Sequence, residues 1–199
     1  MAASTEAARF RQGAGRLCLD FVRTLRYRGT ARATEELVNA SAVAAWAAQC
    51  GPYRVDASHP GGERIDPAEA RRLREAIHEL LRAARADGAG ACAPEARELV
   101  NRAASGPVPT PTLDAAGRLG WHAADPIAAT LSLVARDALD LATSPAIGRV
   151  RECADPDCGV LFVDNSRPGS RRWCSMDSCG NRAKKNTLRG RTAAAPPAR

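Results

Sequence analysis

At 199 residues with a net charge of +7, the chain is long enough for one sizeable core, or for one domain with a small appendage that needs its own staple. Apolar residues make up 45% but aromatics only 4%, so the core has to be built from Leu, Val and Ala on helices. No run approaches the ~18 apolar residues of a membrane span, and residues 1–16 carry charges where a signal peptide needs an apolar stretch; a membrane protein is excluded and the cytoplasm expected.

Leu17, Phe21 and Leu25 recur at i, i+4 spacing, which predicts an amphipathic helix closed by Gly29. A second helix is expected over residues 41–49, stopping at Gly51 and Pro52, and residues 53–62 read as a loop from their Pro, Gly, Ser and Asp. Next comes the clearest helix. Asp66 can cap it, Pro67 suits its first turn, and Leu73, Ile77, Leu80 and Leu81 form one apolar stripe through Arg85. A short helix is expected over residues 94–104. Residues 107–123 set turn signals beside short apolar patches, with Gly117 after Asp114, a hairpin pattern. Asp125 and Pro126 then open a long helix to about Thr143 that buries Ile127, Leu131, Val134, Ala138 and Leu141. Ser144, Pro145 and Gly148 close it at a domain boundary.

The last quarter changes character. Cys153, Cys158, Cys174 and Cys179 form C-x4-C, fifteen intervening residues, then a second C-x4-C. Two short turns, each with a pair of thiolates, can wrap a tetrahedral Zn²⁺ when a strand or hairpin separates them. Residues 160–163 read as that strand, residues 165–170 as a turn and residues 171–173 as the returning strand, with Phe162 and Trp173 as a small core. So little apolar mass would rarely fold alone, and metal binding supplies the missing free energy. Reduced cysteines suit the cytoplasm and an odd total of seven argues against disulfides, which leaves zinc favoured over an iron–sulfur cluster. Four protein ligands close the site, so the metal is structural. Cys18, Cys50 and Cys92 stand apart and read as small buried hydrophobes.

Beyond the cysteines the charge is one-sided. From Arg151 there are ten basic residues against five acidic, and none of the acids lies after Asp177. A helix from residue 177 to about 191 sets Arg182, Lys185 and Arg189 along one face beside Lys184, with Arg191 at its end and Leu188 available to dock it on the zinc turns. A zinc-anchored basic helix can bind phosphates, and Asn181 or Arg182 at its start could reach base edges. Arg171 and Arg172 would add phosphate contacts. Aromatic side chains do not interleave with the patch, which favours double-stranded DNA over single strands.

The run from Cys153 to Arg191 resembles the CGNR zinc finger, named for Cys-Gly-Asn-Arg, here Cys179, Gly180, Asn181 and Arg182. C-x4-C-G, the F-V-D strand end and R-R-W-C-S-M precede it in order. Upstream, Leu17-Cys18-Leu19-Asp20-Phe21-Val22-Arg23-Thr24 and Val43-Ala44-Ala45-Trp46 resemble the L-x-L-D-F-x-N-T and L-x-x-W patterns of the ABATE domain that precedes such fingers, with Arg23 in place of the Asn. The resemblance implies a bacterial, stress-linked, DNA-binding transcription regulator.

The first 150 residues offer no catalytic set. His59, His78 and His122 lack completing neighbours, and no glycine run makes a phosphate loop. A sensor pocket or a dimerisation surface is the alternative role for this half, with Arg23, Trp46 and Trp121 as candidate lining. The expectation is therefore a non-enzymatic protein, mainly α with a small β-hairpin over residues 1–147, a zinc-binding ββα-like module over 148–191 and a disordered tail over 192–199. Its expected function is DNA-binding transcription regulation; the alternative is a zinc-stabilised protein-interaction or RNA-binding module. A homodimer and a small-molecule effector are further partners left open.

Overall fold

The structure is a computed structural model that describes residues 10–52 and 65–193, with side chains to residue 187. The loop expected over residues 53–62, with His59, lies outside the described residues, as do the side chains of Leu188, Arg189 and Arg191.

An N-terminal arm leads into α1 (Leu17–Val22), which is shorter than its apolar spacing predicts. The Thr24 hydroxyl donates to the Phe21 carbonyl at 2.7 Å and ends the helix there. Leu25 keeps the apolar spacing but leaves the helix for β1 (Leu25–Arg26), which pairs antiparallel with β2 (Thr34–Glu35). Gly29 lies in the turn between those strands. The next helix, α2 (Ala40–Cys50), starts where the Asn39 side chain accepts the Ala42 amide.

The long elements follow their sequence signals closely. Asp66 accepts the Ala68 amide at 2.8 Å to open α3 (Pro67–Ala86), and Pro94 opens α4 (Pro94–Ala104) without an N–H to leave unsatisfied. The hairpin is β3 (Thr110–Leu113) with β4 (Leu119–His122). Its turn is held by Asp114, which accepts the Ala116 and Arg118 amides at 2.9 Å each, while Gly117 supplies a φ of 75° that a side chain would resist. Asp125 then accepts two amides, of Ile127 and Ala128, to start α5 (Pro126–Thr143). Helices α3, α4 and α5 pack on one another, and α1 and α2 close over α5.

The C-terminal part differs from its expected strand order. Strand β5 (Val150–Glu152) pairs with β6 (Leu161–Val163), and residues 171–173 form no strand. A single bond from the Ala154 amide to the Arg172 carbonyl, 2.8 Å, marks where the returning chain passes. The physical reason is Arg171, whose amide is taken by the Asp164 carboxylate and whose side chain bonds the carbonyls of Trp173 and Cys174, curling the chain instead of extending it. A single π-turn (Met176–Gly180) leads into α6 (Asn181–Ala193), so the helix reaches two residues into the stretch expected to be a disordered tail.

The buried apolar side chains form one cluster that runs from Phe21, Trp46 and Leu141 to Phe162 and the four clustered cysteines. Phe162 is its anchor in the C-terminal part, while Trp173 is half-buried under the Arg172 guanidinium. The N-terminal arm makes the join. The Val163 amide donates to the Ala14 carbonyl at 2.8 Å, and at Gly15, φ 95°, a Cβ would stand 3.0 Å from the Val163 Cβ. Only glycine lets the arm lie that close to β6.

Candidate metal centre and nucleic-acid interface

Two turns bring the four cysteines together. In the first, the Cys153 amide donates to the Val160 carbonyl and the Cys158 amide to the Asp155 carbonyl, both at 2.9 Å. The second hangs from β6 through Asp164, a fully buried carboxylate that accepts from the Ser166 amide and hydroxyl and from the Arg171 amide. The Asp of the F-V-D run is thus a turn-builder, which is why it follows the strand directly.

All four Sγ atoms are buried and lie within 4.8 Å of one another. Cys158 and Cys174 are 3.6 Å apart and Cys174 and Cys179 3.8 Å. A tetrahedron with Zn–S bonds of about 2.3 Å has S–S edges of about 3.8 Å. A disulfide needs about 2.05 Å. The spacing therefore fits a shared ion. Charge supports the same conclusion, because four thiolates at this spacing repel one another. Only a cation lets all four be thiolates together. The site is a structural zinc centre, with no coordination position left for water.

The zinc turns fix the start of α6. At that start, Asn181 is exposed and its side-chain amide reaches the Asp177 carbonyl at 3.4 Å. Lys184 and Lys185 are exposed and make no hydrogen bond or ion pair among the described residues. Arg172 is exposed as well, stacked 5.0 Å over Trp173.

Two of the arginines expected to face nucleic acid are engaged by groups of the protein itself. Arg171 lies 4.6 Å over the Phe162 ring and donates to the Trp173 carbonyl at 2.9 Å, so its guanidinium is a strut of the second turn. Arg182, the arginine of the CGNR run, turns back toward the N-terminal half, 3.5 Å from Asp155 and 5.9 Å from the Tyr27 ring centre. Its side chain is only 31% exposed. The helical spacing places Arg182 on the same face as Lys185, but a buried carboxylate and a ring draw it inward.

The residues expected to line a pocket occupy three separate settings. Arg23 is buried, donates to the Gln12 carbonyl at 3.0 Å and pairs with Asp20. Trp46 is fully buried against Phe21, ring centres 4.8 Å apart, its indole N–H without a partner among the described residues. Trp121 is half-buried on β4, opposite Pro111. A groove of about 480 Å³ does run elsewhere, between α3, α4 and α5, floored by Leu73, Leu99 and Leu131 and rimmed by Arg72 and Arg102. It contains none of the three.

The sequence gives no sign that Tyr27 belongs to the site. Its φ of 52° makes it the one non-glycine residue in the left-handed region among those described. Nothing in the run Arg26-Tyr27-Arg28 signals this, although the Thr30 amide and hydroxyl both donate to the Tyr27 carbonyl within the same turn.

A family model described as "ABATE: Putative stress-induced transcription regulator" matches residues 15–145, and one described as the CGNR zinc finger matches residues 149–192. No match was found among curated proteins. No described helix is long and apolar enough to cross a membrane.

Proposed function

The chain belongs to the ABATE family and carries a CGNR zinc finger, and from that premise we propose that it is a transcription regulator that binds duplex DNA through the exposed start of α6, as a binder and not a catalyst. The observation that carries this is the pair Lys184 and Lys185: two unpartnered ammonium groups, among the described residues, on the first turns of a helix whose entry is fixed by buried zinc ligands. Free lysines on a rigid support suit phosphate binding, since they carry no internal pair to break on association. Arg172 adds a third such charge, and Asn181 is the residue placed to read a base edge. Arg182 and Arg171 are left out of this surface because their guanidiniums are engaged within the protein.

The double substitution Lys184→Ala/Lys185→Ala is expected to weaken duplex binding at every sequence tested and to flatten the plot of log K against log salt by about 2, roughly 0.9 for each phosphate no longer neutralised. Zinc content stays at one ion. Fluorescence anisotropy across a salt series reads the first quantity and a metal assay the second. An unchanged slope in the double variant contradicts the assignment.

One observation favours a second reading, in which the protein meets another protein. Leu113 and Leu119 face each other at the tip of the β3–β4 hairpin and are 75% and 64% exposed. Binding that barely responds to salt would favour that hairpin over α6.

A further inference from the structure

The zinc turns do not sit on bare protein. A crevice of about 20 Å³ separates them from the N-terminal half, enough for about one water and too small for a ligand. Tyr27 and four guanidinium groups, Arg11, Arg23, Arg26 and Arg182, line it. The thiols of Cys158, Cys174 and Cys179 form the facing side.

Charge counting gives this arrangement its meaning. Arg23 pairs with Asp20 at 3.6 Å, Arg26 with Glu36 at 3.4 Å and Arg182 with Asp155 at 3.5 Å, which leaves Arg11 without an ion pair among the described residues. Four cations against three carboxylates leave one positive charge over. A zinc ion held by four thiolates carries two negative charges, spread over sulfurs that border the same crevice. Set against that surplus the tetrathiolate leaves one negative charge over, so Arg11 offsets half of the charge of the centre. The guanidiniums of the crevice thus face a dianionic centre across a partly desolvated gap.

Tyr27 gathers these groups. The Arg26 guanidinium donates to its hydroxyl at 3.2 Å and lies 5.2 Å from the ring centre, with Arg32 at 4.8 Å and Arg182 at 5.9 Å. On the finger side, Gly159 faces Arg28, so that a Cβ on the glycine would be in ordinary contact, 3.4 Å, with the Arg28 carbonyl oxygen. The β1–β2 turn is therefore clamped between the first zinc turn and the start of α6.

We infer that the metal centre is completed by the N-terminal half: Arg26 and Arg182, gathered on Tyr27 with Arg11 and Arg23 behind them, form the outer electrostatic shell of the zinc tetrathiolate, so that zinc loading and docking of the two halves are one event. Arg182 is thus a positioning residue that acts through the thiolates and Tyr27. This assignment stands on the zinc centre and is independent of the nucleic-acid reading.

Zinc transfer from the full chain to excess EDTA, with hydrogen exchange at residues 25–36 followed in parallel, tests it. In Arg26→Gln/Arg182→Gln, zinc affinity is expected to fall about 10- to 100-fold, the usual loss when outer-shell partners of a metal are removed. Arg182→Lys, which keeps the charge, is expected to recover most of the loss caused by Arg182→Gln alone; a role in packing only would be lost equally in both. In the wild-type chain, stripping zinc is expected to raise exchange in the β1–β2 turn, although that turn holds no metal ligand. Zinc affinity within twofold of wild type in the double Gln variant, or exchange of the turn unchanged by zinc removal, would overturn the inference.

Discussion

Cys174→Ser is expected to cost the chain its zinc and to unfold residues 149–187 as a block, while the packing of α3, α4 and α5 survives. Cys174 is central to the cluster: its Sγ lies 3.6 Å from that of Cys158 and 3.8 Å from that of Cys179, and its amide points at the Cys153 sulfur at 3.5 Å. Losing one thiolate removes a ligand and an organiser of the other three. Structural zinc sites contribute an apparent ~10–16 kcal/mol, far more than β5 and β6 can gain from six paired residues. The apolar face of β6 still belongs to the common core, but the turns on either side of it have no other source of order. Metal analysis and limited trypsin digestion, with sites at Arg171, Arg172, Arg182, Lys184 and Lys185, check this. The control is Cys50→Ser, a half-buried thiol outside the cluster, which should retain zinc and the digestion pattern of the wild type.

The second large effect is expected at Arg74, whose side chain is 3% exposed and grips Glu35 with two bonds of 2.6 Å while its Nε reaches Glu75 at 2.9 Å. This fork ties β2 to α3 and so holds the turn that carries Tyr27. Arg74→Met leaves a partly buried carboxylate without its counter-charge, and unfolding free energy should drop by roughly 3 kcal/mol, toward the lower end of the buried-pair range because Glu35 keeps some solvent contact. Burial alone would raise the Glu35 pKa, but the Arg74 bonds outweigh it and hold it below the usual value. A depressed carboxylate stabilises the fold above its unfolded pKa, about 4.3, and loses that contribution as pH falls through the folded value. Denaturation at pH 7 and at pH 3.5 should therefore show a smaller acid-linked loss in Arg74→Met than in the wild type. Arg74→Met/Glu35→Leu should recover part of the stability, since no charge is then left stranded.

Much of this architecture is legible in the amino acids. Asp66-Pro67, Pro94 and Asp125-Pro126 announce three helix starts, because proline fixes the first turn and, in the first and third, the carboxylate before it caps that turn, with no help from the rest of the fold. The zinc ligands are equally plain, since C-x4-C repeated across fifteen residues leaves few other uses for the thiols. What escapes the sequence is short or distant. Strands β1, β2 and β5 are two or three residues long, too short for alternation to register, so Leu25 reads as helix and residues 171–173 as the partner that β5 turns out to be. The inward turn of Arg182 escapes the sequence for a different reason. Helical spacing gives the face of a side chain, but not whether Tyr27 and Asp155, 155 and 27 residues earlier, will turn it inward.

Whether zinc makes the start of α6 a rigid surface for duplex DNA is decided by the binding of a duplex pool to the full chain over a range of salt, before and after zinc is removed. The zinc-loaded chain is expected to bind with a steep negative dependence of log K on log salt, and the stripped chain to bind at least tenfold more weakly with a shallower dependence. Binding that is unaltered by zinc removal, or absent from the loaded chain at low salt, would contradict that role of zinc.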